Sequence, residues 1–195
     1  MKLYDITQEL FSCKVYEGDP KPQLQRLLSM EEGGLYNLSA LSLCAHNGTH
    51  VDAPAHFIRD GKTIEQIPLD SFVGHCSLLR HEGEVSAADA QKMLEKARNF
   101  AAAERLLIAG DAVVTAEAAA VFAQAKLKLL GNESQSVGPE EAPMAVHKIL
   151  LEQEIVLLEA VVLADIPEGR YFLNAAPLNG GGLEGSPCRA WLMEV

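Results

Sequence analysis

The chain has 195 residues, about one domain's worth, with 48% apolar and 22% charged side chains, which excludes a disordered, collagen-like or coiled-coil protein. Its 27 acidic against 16 basic side chains give a net charge of −11, which argues against a nucleic-acid or anionic-membrane surface and is compatible with binding a cation. Cys13, Cys44, Cys76 and Cys188 share no CxxC spacing and read as reduced thiols; with no signal peptide at the start and no run of 18 apolar residues, the expectation is a cytoplasmic protein without a transmembrane helix.

In chain order, Leu3–Ile6, Leu35–Ala45 and Gly74–Leu79 read as extended segments. Ser86 with Asp89 three residues on predicts a capped helix start, followed by Ala90, Met93, Leu94 and Ala97 at helical spacing. Thr115 caps a predicted helix over Ala116 to Lys126, with Glu117 in the first turn, where the helix dipole favours an acid. Pro139, Glu140 and Glu141 open a third, running to about Glu152. Between and after these helices, Arg105–Ala109, Lys126–Leu130, Ile155–Leu163, Tyr171–Ala175 and Arg189–Met193 read as strands. Interleaved strands and helices predict one α/β domain over residues 1–195, a mixed sheet with flanking helices.

The stretch from Ala45 to His56 concentrates the chemistry. His46, His50, Asp52 and His56 share even numbers, so in an extended chain they face one way and Val51 and Ala53 the other. Gly48 and Pro54 oppose a helix. His50 and Asp52 would lie roughly 7 Å apart on a strand, close enough to share one ion, while His46 and His50 would lie about 13 Å apart. Asn47-Gly48 is a turn dipeptide, and a kink there is predicted to fold His46 back toward His50. Imidazole and carboxylate together suit Zn2+, Mn2+ or Fe2+; a closed structural zinc site would want thiolates, and Cys44 reads as packing.

Two further residues stand out. Glu159 is the one polar residue in Ile155–Leu163, and a lone carboxylate in an apolar strand is costly unless paired or metal-bound. Without a cation its carboxyl is expected to be pushed above the usual range by burial and by neighbouring carboxylates. His147 lies on the third predicted helix, on the face that Met144, Leu150 and Leu151 mark as buried; alone it reads as a core histidine. His75 and His81 read as turn and loop residues, and Gly180-Gly181-Gly182 lacks the context of a phosphate loop.

The run His46-Asn47-Gly48-Thr49-His50-Val51-Asp52-Ala53-Pro54-Ala55-His56 resembles the HxGTHxDxPxH signature of the cyclase family, which includes bacterial kynurenine formamidases and isatin hydrolases, at every fixed position. Tyr16-Glu17-Gly18-Asp19-Pro20, the segment His56–Leu69 and Gly182–Ala190 are similar to other family segments. The resemblance implies a swivelling β/β/α fold, a homodimer or larger homo-oligomer, and one or two divalent ions per chain, Zn2+ or Mn2+. It places one set of ligands on His46, His50 and Asp52, a second on His147 and Glu159 with Asp52 and Glu159 bridging, and proton transfer on His56. Tyr16 stands where the family has an early-loop ring that meets substrate; Tyr36 and Phe57 are the other rings available to an aryl group. Glu17 replaces a common proline, and Gly131–Val137 lacks the aspartates usual in the corresponding stretch. The expected activity is metal-dependent hydrolysis of a small amide, formamide or cyclic amide by a metal-activated water, with His56 as general acid and base. The alternatives are a metal-dependent lyase or dehydratase, and a metal-binding protein without turnover.

Overall fold

The computed structural model describes residues 1–195. Its strands are β1 (Leu3–Asp5), β2 (Gln23–Leu28), β3 (Leu38–Ser42), β4 (His50–Asp52), β5 (Val73–Arg80), β6 (Gly83–Val85), β7 (Arg105–Ala109), β8 (Ala112–Val114), β9 (Leu129–Asn132), β10 (Val156–Glu159), β11 (Gly169–Asn174), β12 (Gly185–Pro187) and β13 (Trp191–Glu194). Its helices are α1 (Leu69–Phe72), α2 (Ala87–Asn99), α3 (Ala116–Gln124) and α4 (Met144–Leu151). Nine strands form one mixed sheet in the order β1-β13-β11-β5-β7-β9-β10-β4-β12. β5, β7, β9 and β10 run parallel, and the remaining neighbours in the sheet are antiparallel. Parallel neighbours need long crossovers, and α2, α3 and α4 supply the three between β5 and β10. No helix is long and apolar enough to cross a membrane.

The central strands are buried on both faces, which explains their near-continuous apolar sequence. Alternate residues divide between two cores. Leu79, Leu106, Ile108, Leu130 and Leu157 pack against Leu94, Phe122 and Leu150 of the helices. Leu78, Leu107, Leu129, Val156 and Leu158 pack on the other side with Phe72, Leu173, Leu192 and Val51. Strands from both halves of the sheet meet in this second core, so the sheet curls on itself.

Helices α2 and α3 start where their caps predict. Ser86 and Asp89 form a reciprocal capping box, and the Thr115 hydroxyl accepts from the Ala118 amide. Several boundaries differ from expectation. The helix expected from Pro139 begins only at Met144, because Pro143 disfavours helical backbone at the residue before it. The strand expected over Ile155–Leu163 ends at Glu159, since Ala160 turns into the left-handed region at φ 57°. Lys126, expected in both a helix and a strand, lies in neither: it too is left-handed, at φ 55°, and β9 starts at Leu129. Within Leu35–Ala45 only Leu38–Ser42 is a strand, paired in a separate hairpin with β2, which the sequence did not suggest. The last strand is shifted from Arg189–Met193 to Trp191–Glu194.

Candidate metal centre

The register of two neighbouring strands begins the site. β4 runs antiparallel to β10, with Glu159 opposite His50 and Leu157 opposite Asp52. Val51 points into the core away from the helices, so His50 and Asp52 face the helix side of the sheet. Along β10, Val156 and Leu158 join that same far core while Leu157 joins the helix-side one, which puts Glu159 on the helix side too. There α4, which follows β9 and leads into β10, brings His147 against it.

His46 arrives by the predicted kink. Gly48 is left-handed at φ 62°, where a side chain would be strained. Asn47 fixes the turn, its Oδ1 accepting from the Cys44 amide and its Nδ2 donating to Pro20 O. The His46 and His50 rings lie 5.0 Å apart as a result. His56 reaches the site differently from the expected alternation: the extended run stops at Ala53, and Pro54–His56 form a short 3-10 turn. That turn sets the His56 ring 4.1 Å from the His46 ring.

Hydrogen bonds on the outer nitrogens orient two of the imidazoles. His50 Nδ1 donates to Gly48 O at 2.7 Å, and His147 Nδ1 donates to Pro143 O at 2.9 Å; a carbonyl can only accept, so each Nε2 faces inward. His50 Nε2 is 3.5 Å from both Asp52 Oδ1 and Glu159 Oε2. His147 Nε2 is 3.2 Å from Glu159 Oε1 and 3.6 Å from Asp52 Oδ2. His46 Nδ1 is 2.9 Å from Asp52 Oδ1, and its Nε2 is 3.6 Å from Glu184 Oε1. One donor atom each from His46, His50 and Asp52 lies within 4.8 Å of the others, as does one each from Asp52, His147 and Glu159. Asp52 is common to both groups and fully buried, and its Oδ2 has no hydrogen-bond partner. Buried carboxylate and imidazole donors converging at these separations, with an unpaired carboxylate oxygen among them, fit one or two divalent cations. His56 belongs to neither group.

The electrostatics correct one expectation. Burial, with Asp52 adding to it, would raise the Glu159 carboxyl, but hydrogen bonds from His147 and His50 hold it below its ordinary value. Burial likewise opposes ionisation of Asp52, yet His147 and His46 hold it well below the usual carboxylate range. In return, although burial pulls both imidazoles down, the carboxylates lift His50 to about 9 and His147 to about 10. Glu159 was expected to rise because burial and neighbouring carboxylates both favour its neutral form; the hydrogen bonds from His147 and His50 outweigh them. His56 goes the other way: burial lowers its pKa, so it is neutral at pH 7.

A pH dependence follows for protein stripped of metal by a chelator. The two imidazoles have folded pKa values above the unfolded 6.5, so their contribution is complete below about pH 6.5 and is lost as pH rises through about 9 to 10. The depressed carboxylates contribute above about pH 4 and lose that contribution on acidification. Chelated protein is therefore expected to fall in Tm between about pH 6.5 and 10, and metal-loaded protein, whose imidazoles bind as neutral ligands, is not. Thermal unfolding in both conditions checks this, and a flat chelated profile would contradict it.

Above the donors lies a cleft of about 200 Å3 whose lining includes Tyr16, Asp19, His56, Phe57, Gln135 and Ser136. The Tyr16 hydroxyl donates to Glu140 O at 2.6 Å and holds the early loop over the cleft. Tyr36 is not part of it: it lies in the β2–β3 connection and is 54% exposed. His75 stands on β5, and His81 meets the Glu84 carbonyl; neither approaches the centre. Gln135 and Ser136 carried no functional signal in the sequence beyond lying in a stretch that departs from the family pattern.

The Cyclase family model matches residues 4–158. The kynurenine formamidase of Salinibacter ruber is 33% identical over an alignment covering 100% of this chain and 99% of that protein. The kynurenine formamidase of Erythrobacter litoralis is 31% identical, covering 100% and 94%. A solved structure of a potential metal-dependent hydrolase with cyclase activity superposes with a TM-score of 0.81 at 26% identity, covering 100% of this chain and 99% of that one. A complete family signature, a fold shared along the whole chain and these relatives agree: the chain belongs to the Cyclase family.

Proposed function

We propose that this protein is a metal-dependent hydrolase that cleaves the carbon–nitrogen bond of a small formamide, aryl amide or cyclic amide. The observation that carries the reading is the pair of donor groups sharing buried Asp52, with neutral His56 beside them but outside both. The names of the two curated relatives, both formamidases, support the substrate class. His46, His50, Asp52, His147 and Glu159 would hold one or two cations, Zn2+ or Mn2+ by donor type. A divalent cation there supplies Lewis acidity, lowering the pKa of water toward 7 and stabilising charge on a carbonyl oxygen. His56 then accepts the proton of the attacking water as its oxygen bonds to the carbonyl carbon. The same imidazole returns that proton to the nitrogen as the carbon–nitrogen bond breaks, leaving a carboxylic acid and an amine. Asp52 and Glu159 keep the imidazoles oriented, and Tyr16 and Phe57 offer ring surfaces to the rest of the substrate. The test is turnover of a panel of N-formyl arylamines and lactams with added Zn2+ or Mn2+. Turnover that a chelator abolishes is expected; stoichiometric metal without turnover of any member would overturn the reading.

We infer likewise that the β2–β3 hairpin seats a second copy of the chain. Every residue of β2 is exposed, and Leu24, Leu27, Leu28, Leu38 and Leu41 crowd a hairpin that pairs with no other strand. An isolated hairpin is marginal in water, and an apolar patch of this kind marks an interface. Sedimentation of wild type is expected to give a dimer or larger species, and Leu28→Asp with Leu41→Asp a monomer; a monomeric wild type at micromolar concentration would exclude it. The free thiols suit a reducing, cytoplasmic setting.

A further inference from the structure

One imidazole of the centre lacks the anchor that the other two have. His50 and His147 each donate from Nδ1 to a backbone carbonyl. The His46 ring makes one contact of hydrogen-bond length, from Nδ1 to Asp52 Oδ1 at 2.9 Å, and its Nε2 is buried without a partner. Glu184 Oε1 stands 3.6 Å from that nitrogen, just outside hydrogen-bond range. Strand β12 backs the ring: Gly185 lies opposite Asp52, and a Cβ there would come within 2.6 Å of His46 Cε1, so the ring rests on bare backbone. The Glu184 carbonyl accepts from the Ala53 amide at 2.8 Å, which pins the chain at this point. The Glu184 side chain is 44% exposed and makes no other ion pair, so it is free to turn.

Counting protons on the ring shows what Glu184 can do. A carboxylate only accepts, so the bond to Asp52 has its proton on His46 Nδ1. Nδ1 is also the nitrogen on the donor side, beside the Asp52 oxygen that His50 Nε2 approaches at 3.5 Å. A nitrogen that holds a cation uses its lone pair, so a neutral His46 ligating through Nδ1 carries its one N–H on Nε2. The ring keeps the same number of protons and exchanges one nitrogen for the other. Loading then turns Nε2 into a buried donor that needs an acceptor, and Glu184 is the carboxylate beside it. We propose that Glu184 is a positioning residue for His46, accepting from Nε2 in the loaded centre and holding the ring in its ligating tautomer. The proposal rests on the metal centre that underlies the hydrolase reading. It gives His46 the anchor that Gly48 O and Pro143 O give the other two imidazoles.

The experiment is Zn2+ competition with a chelating indicator on wild type, Glu184→Ala, Glu184→Gln, His46→Ala and the double variant His46→Ala/Glu184→Ala, with Tm of each chelated protein measured alongside. The ion weakened by His46→Ala is the one that matters. Glu184→Ala is expected to weaken it roughly 10–100-fold, the cost of losing an outer partner of a ligating histidine. Glu184→Gln keeps an accepting oxygen without the charge and is expected to lie between wild type and Glu184→Ala. In the His46→Ala background the Glu184→Ala change is expected to cost less than about 2-fold, because residues that act through one another are not additive. The Tm of chelated Glu184→Ala is expected to match that of chelated wild type, since without a cation Nε2 has no proton to offer. Unchanged affinity in Glu184→Ala would overturn the assignment. An equal loss in the glutamine and alanine variants, or a full loss in the His46→Ala background, would overturn it as well, by showing that Glu184 acts as a distant charge. A fall in chelated Tm equal to that of the loaded protein would make the role structural and also refute it. If wild type binds no Zn2+, the centre itself fails and the proposal with it, a result distinct from all of these.

Discussion

Asp52→Ala is expected to leave the purified protein without stoichiometric metal, with a loss of affinity above about 10²-fold, more than the 10–100-fold that removal of an outer partner costs. Asp52 is the one residue common to both donor groups, so its loss damages both. It is fully buried, and His46 Nδ1 lies 2.9 Å away. Removing one partner of a buried charged pair also destabilises the fold, by about 3–5 kcal/mol, because the imidazoles lose the charge that holds them ionised. Asp19→Ala is the control, since Asp19 lines the cleft without joining either donor group, and should keep its metal. Metal analysis and competition with a chelator give the answer. Wild-type metal content in Asp52→Ala would remove the basis for the centre.

His56→Gln is expected to do the opposite: metal content unchanged, kcat lowered roughly 10²–10⁴-fold, the usual size of an acid–base contribution. The geometry separates the two roles. His56 stacks on His46 and lines the cleft, yet no carboxylate contacts its ring nitrogens, and burial keeps it neutral at pH 7. Glutamine retains much of the shape and a hydrogen-bonding end but cannot exchange a proton near neutrality. Loss of metal together with activity would make His56 a ligand and end the proposed division of labour.

The sequence carried the centre more fully than the fold around it. His46, His50, Asp52 and His56 fall within eleven residues, and the turn that folds His46 back is written in Asn47-Gly48. Glu159 was conspicuous because a carboxylate in an apolar strand needs a partner. His147 was not conspicuous by itself: a histidine on a buried helix face looks the same whether it meets a core carbonyl or a metal, and only the family spacing pointed to it. Helices α2 and α3 were legible through their caps, which are local chemistry. β12 was not, because Gly185-Ser186-Pro187 has little strand propensity and is extended only through its pairing with β4. β2 escaped notice because it carries no alternation: all six residues are exposed. Gln135 and Ser136 belong to a polar loop with no periodicity, and nothing short of the folded chain shows that their polar atoms are buried.

The strand register that builds the centre also decides when it can form during folding. The His147–Glu159 half joins residues 12 apart, through one helix and the strand that follows it. The His46–His50–Asp52 group is local as well, but Asp52 joins the second group only when β4 docks against β10, a step locked by the Thr49 hydroxyl on the Ala160 carbonyl across 111 residues. Closing so long a loop comes late, since its entropy must be spent before distant contacts reward it. Until then Asp52 is far from His147, and the second donor group lacks its shared carboxylate. A cation that binds only the finished set stabilises the native state without helping the transition state, so it acts on the rate of unfolding. Metal is then a latch on the closed protein, lengthening its life once folded and leaving the pace of its folding to the chain itself.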